Sequence, residues 1–372
     1  MARTADVIVI GGGLHGCSTA LHLALRGLKT IVVEKDYAGR HASGVNAGGV
    51  RQLARDIAEI PLSISSMAIW EHIEELVGDD CGFASHGTVL VAESEVEFAG
   101  FRARVDDLRL KGFTHEELIG EAELRRLVPA VSDYCPGGIV SRRDGAADPF
   151  RTTQAFRKRA IEKGAQVLEG VAVTAIARAG GGWRVETSDG PIEAPRVVNA
   201  AGAWADRIAA MLGEPVPLEV IAPMLMVTSR LPAFIEPVVI LRGRKLSFKQ
   251  LDNGTVVIGG GHRARPLRDQ NRTVLDWGKL AVSARTVWEL FPVMRAATIV
   301  RAWAGIEARM PDEIPVVGPS VTSEGVYHQF GFSAHGFQLG PGAGAMMAEL
   351  IATGATNVPI DGLGIGRFAA RP

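Results

Sequence analysis

Three glycines and a later glutamate have the spacing that most clearly indicates a ligand-binding site. Gly11, Gly13 and Gly16 fit G-x-G-x-x-G, and residues 5–34 show strand, glycine turn, helix and strand, ending at Glu34. Gly11 permits the tight turn, Gly13 lets backbone approach a pyrophosphate, and Gly16 lets helix pack on strand. The helix N-terminus stabilises phosphate charge, and Glu34 can accept hydrogen bonds from a ribose hydroxyl. This order predicts one adenine dinucleotide, and the unit alone leaves FAD and NAD open.

Composition argues against several classes of function. The 372 residues can form two domains with substantial cores, and a formal net charge of 40 − 41 = −1 gives no general attraction for nucleic acid. The three cysteines form no C-x-x-C motif, so neither a disulfide framework nor a metal site is indicated. We expect a cytoplasmic protein without a transmembrane segment, because no apolar run approaches the roughly 20 residues that span a bilayer. Peripheral membrane contact would need a partner.

The elements that must position the dinucleotide alternate between two patterns. Both ends of the chain predict α/β structure, whereas short β runs joined by turns after residue 215 predict a mainly antiparallel sheet. We therefore expect an α/β fold in which a Rossmann-type dinucleotide-binding domain is interrupted by an α+β substrate domain. The expected boundaries are 1–78, 145–214 and 301–372 for the first domain and 79–144 and 215–300 for the second.

Several local predictions are specific enough to check. Residues 36–51 are rich in Gly, Ser and Asn, which predicts a long functional loop. Residues 57–77 predict one helix, and residues 166–175 and 221–228 each predict one strand. Residues 331–341 predict a loop whose last residue, a proline, begins the next helix.

These motifs resemble those of FAD-dependent amine oxidoreductases of the D-amino-acid oxidase superfamily, within which the glycine and sarcosine oxidase-like group is closest. The resemblance covers nearly the whole chain and includes beta subunits of sarcosine, proline/hydroxyproline and opine dehydrogenases. It implies that the first domain is an FAD-binding domain. Besides the N-terminal unit it depends on Ser43-x-x-Asn46-Ala47-Gly48, Asn199-Ala200-Ala201-Gly202-Ala203-Trp204, Pro311-Asp312-Glu313-Ile314-Pro315-Val316-Val317-Gly318 and Gly331-Phe332-Ser333-Ala334-His335-Gly336-Phe337.

The resemblance implies a role in FAD binding for most of these stretches. The loop from Arg40 to Gly49 would follow the pyrophosphate and the ribityl chain, with hydroxyl, amide and backbone N–H donors. The loop after Gly331 would pass beneath the N1–C2=O2 edge of the flavin, where amide donors stabilise the reduced form. The residues expected to bind FAD are Gly11, Gly13, Leu14, His15, Gly16, Glu34, Lys35, Arg40, Ser43, Asn46, Ala47, Gly48, Gly49, Val173, Ala201, Gly202, Trp204, Gly331, Ser333, His335, Gly336, Phe337 and Gln338.

Three residues are candidates for the catalytic site. Arg51 follows the flavin loop, where the resemblance implies an arginine that binds the substrate carboxylate; a surface or phosphate-adjacent arginine is the alternative. Glu307 stands where D-amino-acid oxidases have an arginine, so it would bind a cationic amine or form a structural salt bridge. For His335 we expect a position close to the flavin rather than direct proton transfer, because amine oxidation chiefly needs a neutral amine facing N5.

Departures from the family pattern bear on the type of enzyme. No cysteine follows Cys135, so we expect FAD to be noncovalent. Gln338 stands where monomeric sarcosine oxidases have a lysine. Ile258 or a neighbour stands about where those enzymes have a second lysine, which activates oxygen. These differences favour a dehydrogenase over an oxidase.

The expected reaction is oxidation of the C–N bond of a secondary amine or D-amino acid to an imine by hydride transfer to FAD. The substrate would be of the D-hydroxyproline, proline, sarcosine or opine type. We expect a dehydrogenase beta subunit that passes electrons to a partner subunit or another acceptor, and the resemblance also allows FMN at a subunit interface. The alternatives are a free-standing glycine, sarcosine or D-amino-acid oxidase that makes hydrogen peroxide, a non-catalytic flavoprotein that relays electrons, and a dehydrogenase of 2-hydroxy acids or glycerol phosphate.

Overall fold

A computed structural model describes residues 2–368; residue 1 and residues 369–372, which belong to the first predicted domain, lie outside the described residues. Within residues 2–368, no helix is long and apolar enough to cross a membrane. The strands are β1 Arg3–Thr4, β2 Val7–Ile10, β3 Thr30–Glu34, β4 Gly49–Val50, β5 Thr88–Ala92, β6 Glu117–Gly120, β7 Gly137–Ser141, β8 Gly145–Ala146, β9 Gln166–Glu169, β10 Val173–Ala179, β11 Gly182–Thr187, β12 Ile192–Ala194, β13 Arg196–Asn199, β14 Glu219–Ile221, β15 Met224–Thr228, β16 Val238–Leu241, β17 Leu246–Gln250, β18 Val256–Gly259, β19 Arg265–Leu267, β20 Arg272–Val274, β21 Ile299–Ala304, β22 Glu307–Arg309, β23 Val316–Pro319 and β24 Val326–Phe330. The α-helices are α1 Leu14–Ala24, α2 Ala42–Val45, α3 Ile60–Trp70, α4 Ile73–Val77, α5 Glu95–Leu110, α6 Glu121–Leu127, α7 Pro149–Glu162, α8 Ala205–Met211, α9 Trp277–Leu290 and α10 Gly336–Thr353, and 3₁₀ turns occupy Ile57–Glu59, Gly202–Trp204, Arg268–Gln270, Pro292–Ala296 and Ile365–Phe368.

A six-stranded sheet contains the N-terminal unit. Its order is β23-β24-β13-β2-β3-β9, and neighbouring strands are parallel except for β23 and β24. All four residues of β2 are buried, as a strand covered on both faces requires, and α1 connects β2 to β3. Helices α1, α3, α7 and α10 share one apolar cluster that includes Leu14, Trp70, Phe156 and Leu339. The predicted strand, helix and strand of residues 5–34 are confirmed.

An eight-stranded sheet forms from more distant parts of the chain. Its order is β21-β15-β18-β17-β16-β5-β7-β6, and the pairs are antiparallel apart from β16 with β5. One face packs against α9 through a cluster that includes Phe248, Ile258, Val287 and Leu290. The chain therefore has the predicted mixed α/β fold with a mainly antiparallel second sheet. The domain boundaries stay a prediction.

Two segments that were expected to be single strands each divide into two. Residues 166–175 turn at Gly170, where φ is +72°, so that β9 joins the six-stranded sheet and β10 joins a four-stranded sheet. Residues 221–228 divide at Pro223, and β14 and β15 pair with strands of different sheets. Proline lacks the N–H that a continuous ladder requires. Both predictions as single strands are wrong because apolar composition continues through the residue at which the chain changes direction.

The expected helix at residues 57–77 is also divided. It consists of the 3₁₀ turn Ile57–Glu59, α3 and α4, and His72 has the non-helical angles φ −122° and ψ 26° between the two helices. The predicted loop at residues 36–51 contains the single turn α2 and the short strand β4. Side chains stabilise this turn, since Asn46 Nδ2 donates to the carbonyl oxygen of Ala42 at 2.9 Å.

The C-terminal helix begins earlier than its proline suggests. Helix α10 starts at Gly336, so the prediction that Pro341 begins it is wrong, and the proline lies inside. Helix α3 satisfies the backbone groups at this site. Ser66 Oγ donates to the carbonyl oxygen of Gln338 at 2.5 Å and accepts from the Gly342 N–H at 2.9 Å, and Trp70 Nε1 also donates to Gln338 O at 2.9 Å. A neighbouring helix therefore makes the internal proline tolerable.

We predict that Ser66→Ala destabilises the protein by about 1–3 kcal/mol, because the buried Gly342 N–H loses its acceptor. Ser65→Ala on the same helix is the matched control and should stay within about 0.5 kcal/mol of the native protein. Urea unfolding measures both. Equal free energies of unfolding for the two variants would contradict this account of Pro341.

Candidate active site

One cavity of about 1040 Å³ connects the glycine turn with the loop that precedes α10. Its lining includes Glu34 at one end and His335 at the other, and the eight-stranded sheet contributes Leu90, Ile240 and Ser247. The volume is at the upper end of the roughly 300–1,000 Å³ that is usual for ligand sites, as an elongated ligand would need. The cavity is therefore large enough to accept a dinucleotide and a small substrate.

The N-terminus of α1 presents backbone N–H groups that suit an anion. Its first turn contains no acidic residue, and Gly13 makes no side-chain cap. A side chain at Gly16 would collide with the carbonyl oxygen of Gly11, so close packing of helix on turn depends on this glycine. Ser43 Oγ accepts from the Leu14 N–H at 3.0 Å, which ties the following loop to the helix. These groups fit a pyrophosphate.

Glu34 lies where a ribose would reach it. Its carboxylate accepts the N–H groups of Gly12 at 2.7 Å and Asp36 at 2.8 Å, which fix its orientation. Burial raises the pKa of Glu34 above its ordinary value. Lys35 Nζ lies 3.9 Å from the ring centroid of Trp204, and both residues line this end of the cavity. The chemistry of this end suits a nucleoside.

Most of the residues predicted to bind FAD line this cavity, and their role as ligands stays a prediction. Among the described residues, four of the predicted set do not line it. Ser333 Oγ donates to Gly331 O at 3.1 Å, and Gln338 is buried with its Nε2 donating to Ser63 O at 2.9 Å. Gly16 shapes the glycine turn and Gly48 shapes the loop of residues 36–51, and neither lines the cavity. The cavity-lining members of the set are Gly11, Gly13, Leu14, His15, Glu34, Lys35, Arg40, Ser43, Asn46, Ala47, Gly49, Val173, Ala201, Gly202, Trp204, Gly331, His335, Gly336 and Phe337.

Two of the cavity-lining residues have specific surroundings. Asn46 holds its own loop, since its Oδ1 accepts the Gly48 N–H at 2.7 Å. The ring of His15 stacks on Phe332 with centroids 3.9 Å apart, and burial lowers the pKa of His15 to about 3. His15 is therefore neutral at physiological pH.

Arg51 and His335 both line the cavity, and the side chain of Arg55 contacts the backbone of each. Arg55 Nη2 donates to the carbonyl oxygen of Arg51 at 2.6 Å and lies 3.5 Å from that of His335. Arg51 lines the cavity, and its Nη1 donates to Leu53 O. His335 Nδ1 lies 3.1 Å from both oxygens of Glu59, which is fully buried. The predicted arginine and histidine are thus held together by residues that the sequence did not single out.

Arg55, Glu59 and Arg104 are the residues that sequence reasoning missed here. Arg55 is 2% exposed, and its Nε and Nη1 have no partner among residues 2–368. Arg104 lines the cavity and binds Glu116 through Nε and Nη2, each at 2.7 Å. The only local signal was the second arginine four residues after Arg51. Glu59 appeared to be an ordinary helix residue.

Glu307 is also at this end, but not in the expected ion pair. It has no salt bridge within the described residues, and its Oε1 accepts the Ala334 N–H at 2.6 Å. Ser333 and Ala334 have φ of +50° and +69°, so the carboxylate supports a strained turn immediately before His335. Burial raises the pKa of Glu307 to about 7.

The sheet face toward the cavity contains a lysine, contrary to what Ile258 led us to expect. Ile258 is 2% exposed and packs in the cluster against α9, on the sheet face away from the cavity. Lys249 lies in the neighbouring strand opposite Val257 and, two residues after the cavity-lining Ser247, on the face toward the cavity. It is 7% exposed, and burial lowers its pKa to about 8. A lysine is therefore present on this face, contributed by an adjacent strand.

The fold and the cavity are those expected of a protein with one dinucleotide-binding turn beside a pocket lined by charged side chains. The family of FAD dependent oxidoreductases called DAO matches residues 6–350, and the chain belongs to that family. The match confirms the family resemblance inferred from the motifs, and relatives of this chain are named for oxidising or dehydrogenating sarcosine.

Individual relatives agree with this assignment. The chain is 28% identical over 385 residues to mouse (Mus musculus) mitochondrial sarcosine dehydrogenase, covering 99% of this chain but 42% of the relative. It is 26% identical over 371 residues to sarcosine oxidase subunit beta of Rhodobacter capsulatus, covering 98% of this chain and 88% of the relative. The structure of L-proline dehydrogenase from P. horikoshii matches with a TM-score of 0.92 and 29% identity, covering 99% of this chain and 98% of that one.

We predict that Glu307→Gln stabilises the cofactor-free protein at pH 8 by roughly 1–3 kcal/mol. The pKa of Glu307 is raised to about 7 because the fold disfavours the ionised carboxylate, and glutamine removes that charge. The amide can still accept the Ala334 N–H. The gain should disappear as the pH falls toward the ordinary pKa of a glutamate, where wild-type Glu307 is protonated in both states. Urea unfolding at a series of pH values measures this, with the exposed Glu236→Gln as control. A variant that is less stable at pH 8 would show that the ionised form supports the fold.

Proposed function

We propose that the chain oxidises the C–N bond of a secondary amine or amino acid that carries a carboxylate, forming an imine. The substrate class is that of D-hydroxyproline, proline, sarcosine or an opine. One observation carries the proposal: Arg51 and His335 both line the cavity and lie close together, since Arg55 Nη2 contacts the carbonyl oxygen of each and the charge of Arg51 lowers the pKa of His335. A guanidinium binds a carboxylate with two parallel hydrogen bonds, which orients the rest of the substrate toward the histidine.

FAD, when bound, would supply the oxidant by accepting a hydride at the flavin. The chain would hold its pyrophosphate at the N-terminus of α1 and its ribose at Glu34. We expect the flavin to be noncovalent, because the three cysteines are buried free thiols at positions 17, 81 and 135. Such thiols also agree with a cytoplasmic location. An FMN at an interface with a partner would appear as a second flavin only in the assembled complex.

We further propose that the chain works as a dehydrogenase beta subunit with a partner that accepts electrons. Two relatives support this: one is named a beta subunit of sarcosine oxidase and another an L-proline dehydrogenase. The chain spans only 42% of the mouse sarcosine dehydrogenase, so that relative has a further portion that this chain does not match. The activity of the whole assembly is part of the proposal.

We predict that one amine bleaches the flavin when the purified yellow protein is titrated without oxygen. The panel contains D- and L-proline, both hydroxyproline epimers, sarcosine, glycine and an opine, and the flavin absorption band is followed. Arg51→Lys should weaken the response about tenfold or more, since the bidentate contact is lost. Lys279→Met, on the exposed surface of α9, is the control. Bleaching by 2-hydroxy acids and by no amine would contradict the proposal.

A free-standing oxidase is the second candidate, and Lys249 is the observation that favours it. A buried ammonium near the flavin would stabilise negative charge that develops when oxygen is reduced. The loop residue Gly48 lies against its Nζ, and Gly48 neighbours the cavity-lining Gly49. The lysine therefore lies close to the expected flavin position.

Reoxidation in air distinguishes the two candidates. For a dehydrogenase we expect the reduced protein to reoxidise slowly in air and to transfer electrons readily to a dye. The wild-type protein and Lys249→Met should then reoxidise at the same rate. Rapid reoxidation with one peroxide per flavin, slowed about tenfold or more in Lys249→Met but unchanged in Lys279→Met, would establish the oxidase.

A further inference from the structure

A buried carboxylate and a histidine form a pair at the substrate end of the cavity. Both oxygens of Glu59 lie 3.1 Å from His335 Nδ1, and Glu59 is fully buried at the 3₁₀ turn that leads into α3. A second contact fixes the carboxylate, because Glu59 and Asp56 form a capping box. The two residues are 276 positions apart in the chain, so their meeting is a product of the fold.

This contact determines which nitrogen of His335 carries a proton. Burial alone would raise the pKa of Glu59, but the hydrogen bond from His335 and the nearby charge of Arg55 hold it below its ordinary value. An ionised carboxylate can only accept, so Nδ1 carries the hydrogen and donates it. Nε2 then has a free lone pair. His335 lines the cavity, and within residues 2–368 its Nε2 has no protein partner.

The other charges around His335 favour the neutral ring in the resting state. Burial first, and then the positive charges of Arg55 and Arg51, lower the pKa of His335, whereas Glu59 raises it. Glu307 faces the same loop through the Ala334 N–H. The imidazole is therefore uncharged at neutral pH, with a carboxylate positioned to stabilise the imidazolium once it forms.

The proposed reaction needs such a group, because alkyl amines are protonated at neutral pH and a protonated amine cannot release a hydride. We propose that His335 Nε2 takes the proton from the substrate ammonium and that Glu59 is a positioning residue that holds the imidazole in the required tautomer. The ammonium N–H bond breaks, an Nε2–H bond forms, and no electrons are transferred in this step. The neutral amine would then be able to give up its C–H electron pair as hydride to the oxidised FAD that the chain would hold, and the imidazolium proton would return to solvent. This inference rests on the proposed function and replaces the expectation that His335 is only close to the flavin.

Two conservative variants separate the roles. His335→Asn keeps an amide donor near the position of Nδ1 for Glu59 but removes Nε2, and Glu59→Gln keeps the shape of the carboxylate but removes its charge. The matched controls are His72→Asn and Glu75→Gln, since both residues are exposed and lie on the outer surface. The FAD-bound full chain is used throughout.

The first readout does not depend on activity. Two-bond ¹H–¹⁵N correlation spectra of histidine-labelled protein should show the His335 ring, assigned from its loss in His335→Asn, as the Nδ1–H tautomer. In Glu59→Gln that tautomer should no longer dominate, or the ring pKa should fall. A wild-type ring in the Nε2–H form would overturn the positioning role of Glu59.

The second readout is the limiting rate of flavin reduction against pH, with the amine from the panel that bleaches fastest. At pH 7, His335→Asn should be about 10²-fold slower and Glu59→Gln about tenfold slower than wild type. Both defects should vanish near pH 10, about the pKa of an alkyl amine, where the substrate is already neutral. A defect of equal size at every pH would overturn the base assignment. If no amine bleaches the flavin, the proposed function fails, whereas bleaching without this pH pattern refutes only the inference.

Discussion

The close packing of α10 between α1 and α3 is the constraint on which the site depends. Side chains at Gly340 and Gly344 would collide with Leu14 and Ser18 of α1, and a side chain at Gly342 would collide with Ser66 of α3. This contact brings the start of α10 beside the dinucleotide turn, where Gly336 lies against the ring of His15. The loop that carries His335 and the helix that can bind a pyrophosphate thus become two walls of one cavity.

Charged groups from several segments then hold the part of this cavity that Arg51 and His335 line. Asp144 accepts the N–H groups of Gln52 and Leu53 at 2.8 and 3.1 Å, and Arg104 reaches from α5 to the carbonyl oxygen of Arg55 at 2.9 Å. The segment that carries Arg51 is consequently held by side chains from other parts of the fold. Preorganised groups of this kind lose little freedom when a ligand binds, which is how a site orients a small substrate.

The sequence was sufficient for the parts of this arrangement that depend on local pattern. The buried strand β2, the glycine turn and Glu34 follow from spacing that only a few structures satisfy, and the family motifs indicated the remaining FAD-binding segments. Arg51 and His335, which line the cavity, were singled out for the same reason. Their partners Arg55 and Glu59 were missed because their importance comes from contacts between residues up to 280 positions apart, as for Arg55 with His335. The start of α10 was predicted wrongly at Pro341, because a proline inside this helix is tolerated only through the contacts that Ser66 makes from another helix.

A structure of the FAD-bound protein with a small heterocyclic carboxylate, such as pyrrole-2-carboxylate, tests the central claim most directly. The account predicts the pyrophosphate at the N-terminus of α1, a ribose hydroxyl on Glu34, and the carboxylate on Arg51 with its ring nitrogen beside His335 Nε2. FAD in this cavity with the carboxylate bound elsewhere would contradict the substrate assignment. FAD bound outside the cavity would contradict the account as a whole.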